Sequence, residues 1–171
     1  LIQRLFDLNG RYLTMEVSSH ALALGRVHGI YYHTAVFTNL TQDHLDFHRT
    51  MDSYFEAKLS LFSPERAQPP AWAILNADDP FANQTTLAPQ TEAIRFGLNQ
   101  TADIRALNVE TGFNGILFDV EWQGKRLPLH SPLLGDFNVH NLLAAYATCL
   151  SYGIDRHAIH EALAITTAVP G

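Results

Sequence analysis

Short apolar runs, each followed by a polar turn or a helix-patterned segment, recur along this chain and narrow its fold more than any other feature. Tyr12 to Val17 reads as a strand, Ala21 to Arg26 carries helix-forming residues until His28-Gly29 interrupts them, and Ala35-Val36-Phe37-Thr38 is a second β-rich run. Strand, short helix, strand is the grammar of a parallel sheet, whose crossovers cover both faces. Met51, Tyr54, Phe55, Leu59 and Phe62 then keep a helical spacing that Pro64 ends, and Ala71 to Leu75 and Ala93 to Phe96 follow as buried-type strands. In the turn Asn76-Ala77-Asp78-Asp79-Pro80, Asp79 is expected to cap a helix beginning near Pro80.

The ends of the chain follow other patterns. Leu1, Ile2, Leu5, Phe6 and Leu8 make a helix-like face closed by Asn9-Gly10. From Asp103 to Leu129 the pattern alternates and is broken by Gly112, Gly115 and Gly124, which predicts a small appended antiparallel sheet. Asn138 to Tyr152 is an Ala/Leu-rich helix stopped by Gly153, and Asp155 is placed to cap a last helix from Arg156 to about Ile165. The expected fold is α/β: a three-layer, mostly parallel sheet with a small antiparallel addition. No repeat, low-complexity tract or linker divides the 171 residues, so one domain is expected.

Charge and cysteine content exclude several functions. A net charge of −6 provides no basic field for nucleic acid or an anionic membrane, so a polyanionic substrate needs a metal or local donors. Cys149 is the only cysteine, which rules out a disulfide or thiolate–metal framework within one chain and fits a reducing, cytoplasmic setting. No apolar run approaches the roughly 20 residues of a membrane span, and no signal-peptide pattern opens the chain. Beginning at Leu1 and stopping at Val169-Pro170-Gly171, the sequence reads as part of something longer.

Between Met15 and Phe62 the polar chemistry is too dense for a core, with Glu16, Ser18, Ser19, His20, Arg26, Asp43, His44, Asp46, His48 and Lys58 set around two strand-like runs. Open α/β sheets bind ligands where strands end, so these groups mark a candidate site. Glu16 suits either a divalent cation near a phosphate or the cap of the following helix. In Asp43-His44-Leu45-Asp46-Phe47-His48, neighbours point in different directions, so at most one or two can share an ion; a polar loop capped by Asp is the alternative. Lys58, beside Tyr54, Phe55 and Phe62, either snorkels to water, the usual case, or is desolvated into a nucleophilic amine able to react with carbon dioxide. Asn138 and Asn141 open the long helix with two amides; Asn138 can serve as its cap, whereas Asn141 is better matched to a purine edge.

These residues together resemble the central domain of the Mur ligases, most closely the members that add the third amino acid of the peptidoglycan precursor. The resemblance rests on Met15-Glu16-Val17-Ser18-Ser19-His20-Ala21-Leu22, Arg26-Val27, Val36-Phe37-Thr38-Asn39-Leu40, Asp43-His44-Leu45-Asp46-Phe47-His48, Tyr54 with Ala57-Lys58, Asn76-Ala77-Asp78-Asp79, Gly135 to Ala145, and Val169-Pro170-Gly171. It implies an ATP-dependent amide ligation in which a carboxylate of UDP-MurNAc-L-Ala-D-Glu becomes an acyl phosphate that the amine of a diamino acid attacks. By resemblance, Glu16 and His44 are magnesium ligands, Lys58 is carbamoylated and helps hold a second magnesium, and Ser18 and Arg26 contact the muramoyl dipeptide. Asn141, with Asn138 beside it, reads the adenine. A monomer acting on small molecules is expected.

The chain departs from the family pattern in two respects. Leu24 stands where some members have glutamine, and no Gly-Lys-Ser/Thr phosphate loop occurs in the sequence. The resemblance places that loop upstream of Leu1, and an arginine and the amino-acid-binding domain downstream of Gly171, so the chain alone is expected to be inactive. Another Mur or folylpolyglutamate-type ligase is the nearest alternative. A metal-dependent hydrolase built on the Asp/His cluster and a nucleotide-binding module without catalysis are the others.

Overall fold

The computed structural model describes residues 2–167, and for Ile2, Gln3 and Phe6 the backbone alone. Leu1 and the Val169-Pro170-Gly171 motif lie outside the described residues. The elements run α1 (Ile2–Asp7), α2 (Ser19–Ala23), β1 (Thr34–Phe37), α3 (Leu45–His48), α4 (Met51–Leu59), β2 (Trp72–Asn76), β3 (Glu92–Gly97), β4 (Ile104–Gly112), β5 (Gly115–Trp122), β6 (Lys125–Ser131), α5 (Phe137–Ser151) and α6 (Arg156–Ala164).

All six strands form one sheet in the order β1-β2-β3-β4-β5-β6. Pairings from β1 through β4 are parallel, and those of β4 with β5 and β5 with β6 are antiparallel. The three-layer α/β expectation holds, with one refinement: the antiparallel part continues the parallel sheet instead of standing as a separate one. β4 joins the two, pairing with β3 only at Ile104 and Arg105 and with β5 along most of its length.

Period-two alternation divides the core into two layers. Ile74 of β2 packs with Phe96, Ile104, Phe118, Leu143 and Tyr146 under α5 and α6. Its neighbours Ala73 and Leu75 face the opposite side, against Phe37, Tyr54, Phe55 and Phe62. β2 is thus apolar on both faces, as a central parallel strand requires. β5 buries Ile116, Phe118 and Val120 but leaves Leu117 exposed, the pattern of a sheet covered on one side.

Two expectations are corrected. Tyr12 to Val17 is not a strand: Leu13, Met15 and Val17 border a cleft of about 180 Å³ whose other side includes Tyr32, Ala35 and Val36 of the β1 edge. Extended apolar backbone becomes a strand only when a neighbour completes its hydrogen-bond ladder, and the cleft keeps this segment from β1. After Pro80 there is one 3-10 turn, Ala82–Gln84, instead of a longer helix. Phe81, not Asp79, stands at its N-cap; Asp79 accepts from the N–H groups of Phe81 (2.8 Å) and Ala82 (3.4 Å) just ahead of the turn, and Asn83-Gln84-Thr85-Thr86 offers no second apolar turn to extend it.

Candidate active site

The three parallel strands β1, β2 and β3 end at Phe37, Asn76 and Gly97, and side chains from the loops that follow tie these ends together. Asn76 Nδ2 donates to the carbonyl of Thr38 (2.7 Å) and its Oδ1 accepts from the N–H of Asp78 (3.0 Å). Asp79, almost fully buried, also accepts from the N–H of Leu40 (2.8 Å), so one carboxylate joins the β1 loop to the β2 loop. Asp78 accepts from the N–H groups of Leu98 (2.7 Å) and Asn99 (3.0 Å) beyond β3. A Cβ on Gly97 would lie 2.8 Å from Asp78 Oδ2, so this carboxylate rests on backbone that only glycine leaves open.

Above these ends lies a cleft of about 440 Å³ bordered by Thr38, Asn39, Asn76, Asp78, Asp79, Pro80 and Phe96, and by Phe137, His140 and Asn141 from the first turn of α5. The Phe137 ring is 69% exposed, leaving a flat apolar face for a planar ligand. Asn141 lines the cleft and Asn138 does not. Asn138 Nδ2 donates to the carbonyl of Leu134 (2.8 Å) and its Oδ1 accepts from Asn141 Nδ2 (3.0 Å), so Asn138 orients its neighbour. Thr38, Asn76 and Asp79 are not among the expected site residues, although their position at strand ends is a signal that could have found them. Nothing in the sequence pattern singled out Phe137 or His140.

A second cluster flanks the cleft between α2 and α4. Lys58 turns inward: its Nζ donates to the carbonyl of Asn39 (3.2 Å) and stands 5.3 Å and 5.8 Å from the ring centres of Tyr54 and Phe37. Burial pushes its pKa down, and the carboxylates of Asp79, Glu16 and Asp43 oppose the shift in part. Lys58 is thus half-buried, with the exposed Glu16 within electrostatic reach. His44 sits in the left-handed region at φ 54, a conformation uncommon outside glycine and enriched at functional sites, and its N–H donates to Asp43 Oδ1 (2.7 Å). His20 contacts both His44 (4.9 Å between ring centres) and Phe47 (4.2 Å).

His48 has a different task from His44. It is buried, bonded through Nε2 to Ser19 Oγ (2.8 Å) and stacked on Tyr54 (5.1 Å); burial first, then His20 and His44, push its pKa down. It packs α3 against α2 and α4. Ser18 accepts the N–H of Ala21 (3.2 Å) as the cap of α2, which leaves its hydroxyl hydrogen available to a ligand. Arg26 follows α2, exposed and with no ion pair among the described residues, near the exposed Leu24. Among the described residues no three His, Cys, Asp or Glu side chains are gathered as a ready cation cage, and no helix is long and apolar enough to cross a membrane.

The family model of the Mur ligase middle domain matches residues 1–149. The chain is 47% identical to the UDP-N-acetylmuramoyl-L-alanyl-D-glutamate--2,6-diaminopimelate ligase of Solibacter usitatus, over 100% of this chain and 35% of that protein. It is 37% identical to the UDP-N-acetylmuramoyl-L-alanyl-D-glutamate--L-lysine ligase of Staphylococcus epidermidis, over 99% of this chain and 35% of that protein. A solved structure of a UDP-N-acetylmuramoyl-L-alanyl-D-glutamate--2,6-diaminopimelate ligase superposes with a TM-score of 0.82 at 32% identity, covering 91% of this chain and 32% of that one. The chain thus spans about a third of the length of the curated relatives it matches.

Proposed function

The chain belongs to the Mur ligase middle-domain family, and on that premise we propose that it is the nucleotide- and metal-handling domain of an ATP-dependent amide ligase of peptidoglycan synthesis. The proposed reaction joins a diamino acid, diaminopimelate or lysine, to UDP-MurNAc-L-Ala-D-Glu. The observation that carries this reading is the cleft over three parallel strand ends with the half-buried Lys58 at its flank. The terminal glutamyl carboxylate attacks the γ-phosphorus of ATP, ADP leaves, and the incoming amine displaces phosphate from the acyl phosphate. Because little covalent chemistry falls to the protein, positioning and charge account for most of the catalysis.

Each residue takes one part. Asn141 meets the adenine edge, held by Asn138, and Phe137 offers its ring face to the base. Arg26, whose guanidinium fork has no ion pair among the described residues, and Ser18, whose hydroxyl hydrogen has no acceptor among them, orient the muramoyl dipeptide. Glu16 and His44 would hold magnesium. Magnesium is usually bound by one or two carboxylates plus water and substrate phosphates, so Glu16 suits it without a three-residue cage, and His44 would be an unusual imidazole partner beside it. Lys58 as an ammonium would repel that cation. Burial lowers its pKa from the ordinary lysine value, and in its uncharged form the amine can add carbon dioxide, lose a proton and become a carbamate oxygen donor. When bound, magnesium supplies neutralisation of the phosphoryl charge.

The phosphate loop and the domains gripping the uridine end and the amino acid are assigned to the rest of a longer protein, working in the cytoplasm. The test is ADP release by that protein with ATP, magnesium, UDP-MurNAc-L-Ala-D-Glu and each diamino acid in turn. Release that needs both the muramoyl acceptor and one diamino acid, and that disappears in Lys58→Ala, supports the reading. ATP-independent, zinc-dependent hydrolysis would replace it with a metallohydrolase, and comparable turnover by the 171-residue chain alone would overturn the division of labour.

A further inference from the structure

One pair at the cleft goes beyond the roles above. His140 lies on the first turn of α5, lines the cleft, and directs Nε2 to Asp78 Oδ2 at 2.8 Å. Asp78 cannot readily turn away, because the N–H groups of Leu98 and Asn99 hold both of its oxygens and Gly97 backs it. Burial alone would raise the pKa of Asp78, yet the hydrogen bonds from Leu98, His140 and Asn99 bring it below the ordinary carboxylate value. It is therefore ionised, and an ionised carboxylate only accepts. The proton of a neutral His140 must then sit on Nε2, which leaves Nδ1 with a lone pair and no hydrogen-bond partner among the described residues.

We propose that His140, its tautomer set by Asp78, is a specificity-determining residue that offers Nδ1 as an acceptor and so selects a 6-amino purine over a 6-oxo purine. The proposal rests on the cleft being the nucleotide site. No lysine or arginine lines that cleft, whereas Asp78, Asp79 and the Oδ1 of Asn141, whose Nδ2 already donates to Asn138, all present acceptors. An amino group on the base finds partners in such a setting. A carbonyl oxygen in the same place meets lone pairs and leaves a buried acceptor unpaired.

The test is equilibrium binding of ADP and of inosine diphosphate to the full-length protein, its His140→Phe variant and its His140→Gln variant. Phenylalanine keeps the ring's bulk without an acceptor, while glutamine can donate to Asp78 and still present an oxygen. Wild type should favour ADP about tenfold, the ratio that one hydrogen bond of this kind allows. His140→Phe should lower the ratio severalfold, and His140→Gln should restore most of it. Equal binding of both nucleotides by wild type overturns the assignment, as does undiminished discrimination in His140→Phe. If wild type binds neither nucleotide, the reading of the cleft as a nucleotide site fails first and this assignment fails with it.

Discussion

Strands β1, β2 and β3 end in loops that carry Asn39, Asp78, Asp79 and Asn99, whereas β4, β5 and β6 are joined by tight turns at Phe113-Asn114 and Gln123-Gly124. Gln123 (φ 51) and Gly124 (φ 72) both lie in the left-handed region, as a two-residue hairpin turn of right-handed strands requires. The difference follows from connectivity. Parallel strands return through crossovers, so all their carboxyl ends open on one edge, where polar loops can converge without a hairpin closing over them. Antiparallel strands turn back at both edges and leave no such opening. The antiparallel half, with α6 against β6, contributes Ile116, Phe118, Val120 and Leu129 to the larger core, while the parallel half, with α5 packed on β2 and β3, supplies the edge on which a site can be built.

That contrast can be broken most forcefully in the core. Phe118→Ala, at a ring 1% exposed in β5, should cost about 3–5 kcal/mol of stability in a denaturant titration, whereas Phe137→Ala should change stability by about 0.5 kcal/mol or less and weaken nucleotide binding instead. Equal losses of stability at the two rings would erase the distinction.

Asp79→Ala comes next. Three backbone N–H groups, those of Leu40, Phe81 and Ala82, lose their acceptor in a nearly buried setting, so a loss of about 2–3 kcal/mol is expected, read in the same titration. A loss near zero would mean that the loops at the strand ends hold together without it.

Protonation acts on both halves in one direction. His48 in the site region and His160 in α6 both have pKa values lowered chiefly by burial. The unfolded chain then binds more protons than the folded one as pH falls below about 6.5, so stability should decline from there down to the folded-state values and level off below them. His48→Phe and His160→Phe should each flatten that decline between pH 7 and pH 5 in thermal melts; unchanged slopes would remove burial as the cause. The smallest effect belongs to the part-buried Glu121, paired with Arg105 (3.2 Å) and the exposed Arg126 (2.9 Å), where Glu121→Gln, which keeps an acceptor oxygen, should cost about 1 kcal/mol.

Much of this was legible in the residues, for reasons the structure makes plain. Ala71 to Leu75 is apolar at every position because β2 is covered on both faces, and Asp155 announced α6 because a cap is a local property, as its acceptance from His157 (2.9 Å) and Ala158 (3.4 Å) shows. Tyr12 to Val17 had the composition of a strand but lacked the neighbour that makes one, and composition carries no information about neighbours. In the site, Glu16, His44 and Lys58 stood out by residue type. The Asp78–His140 pair did not, because it spans 62 positions and exists only once α5 is laid across the ends of β2 and β3. The inward turn of Lys58 was equally hidden, since snorkelling and burial begin from the same sequence.

We propose that nucleotide chemistry belongs to the carboxyl edge of the parallel half and not to the antiparallel half. Amide hydrogen exchange of the full-length protein with and without ADP and magnesium tests it most directly. Added protection is expected at residues 38–40, 76–82 and 137–141, with the β4–β5 and β5–β6 turns unchanged. Protection centred on residues 110–117 or 123–127, with none at the strand ends, would contradict it.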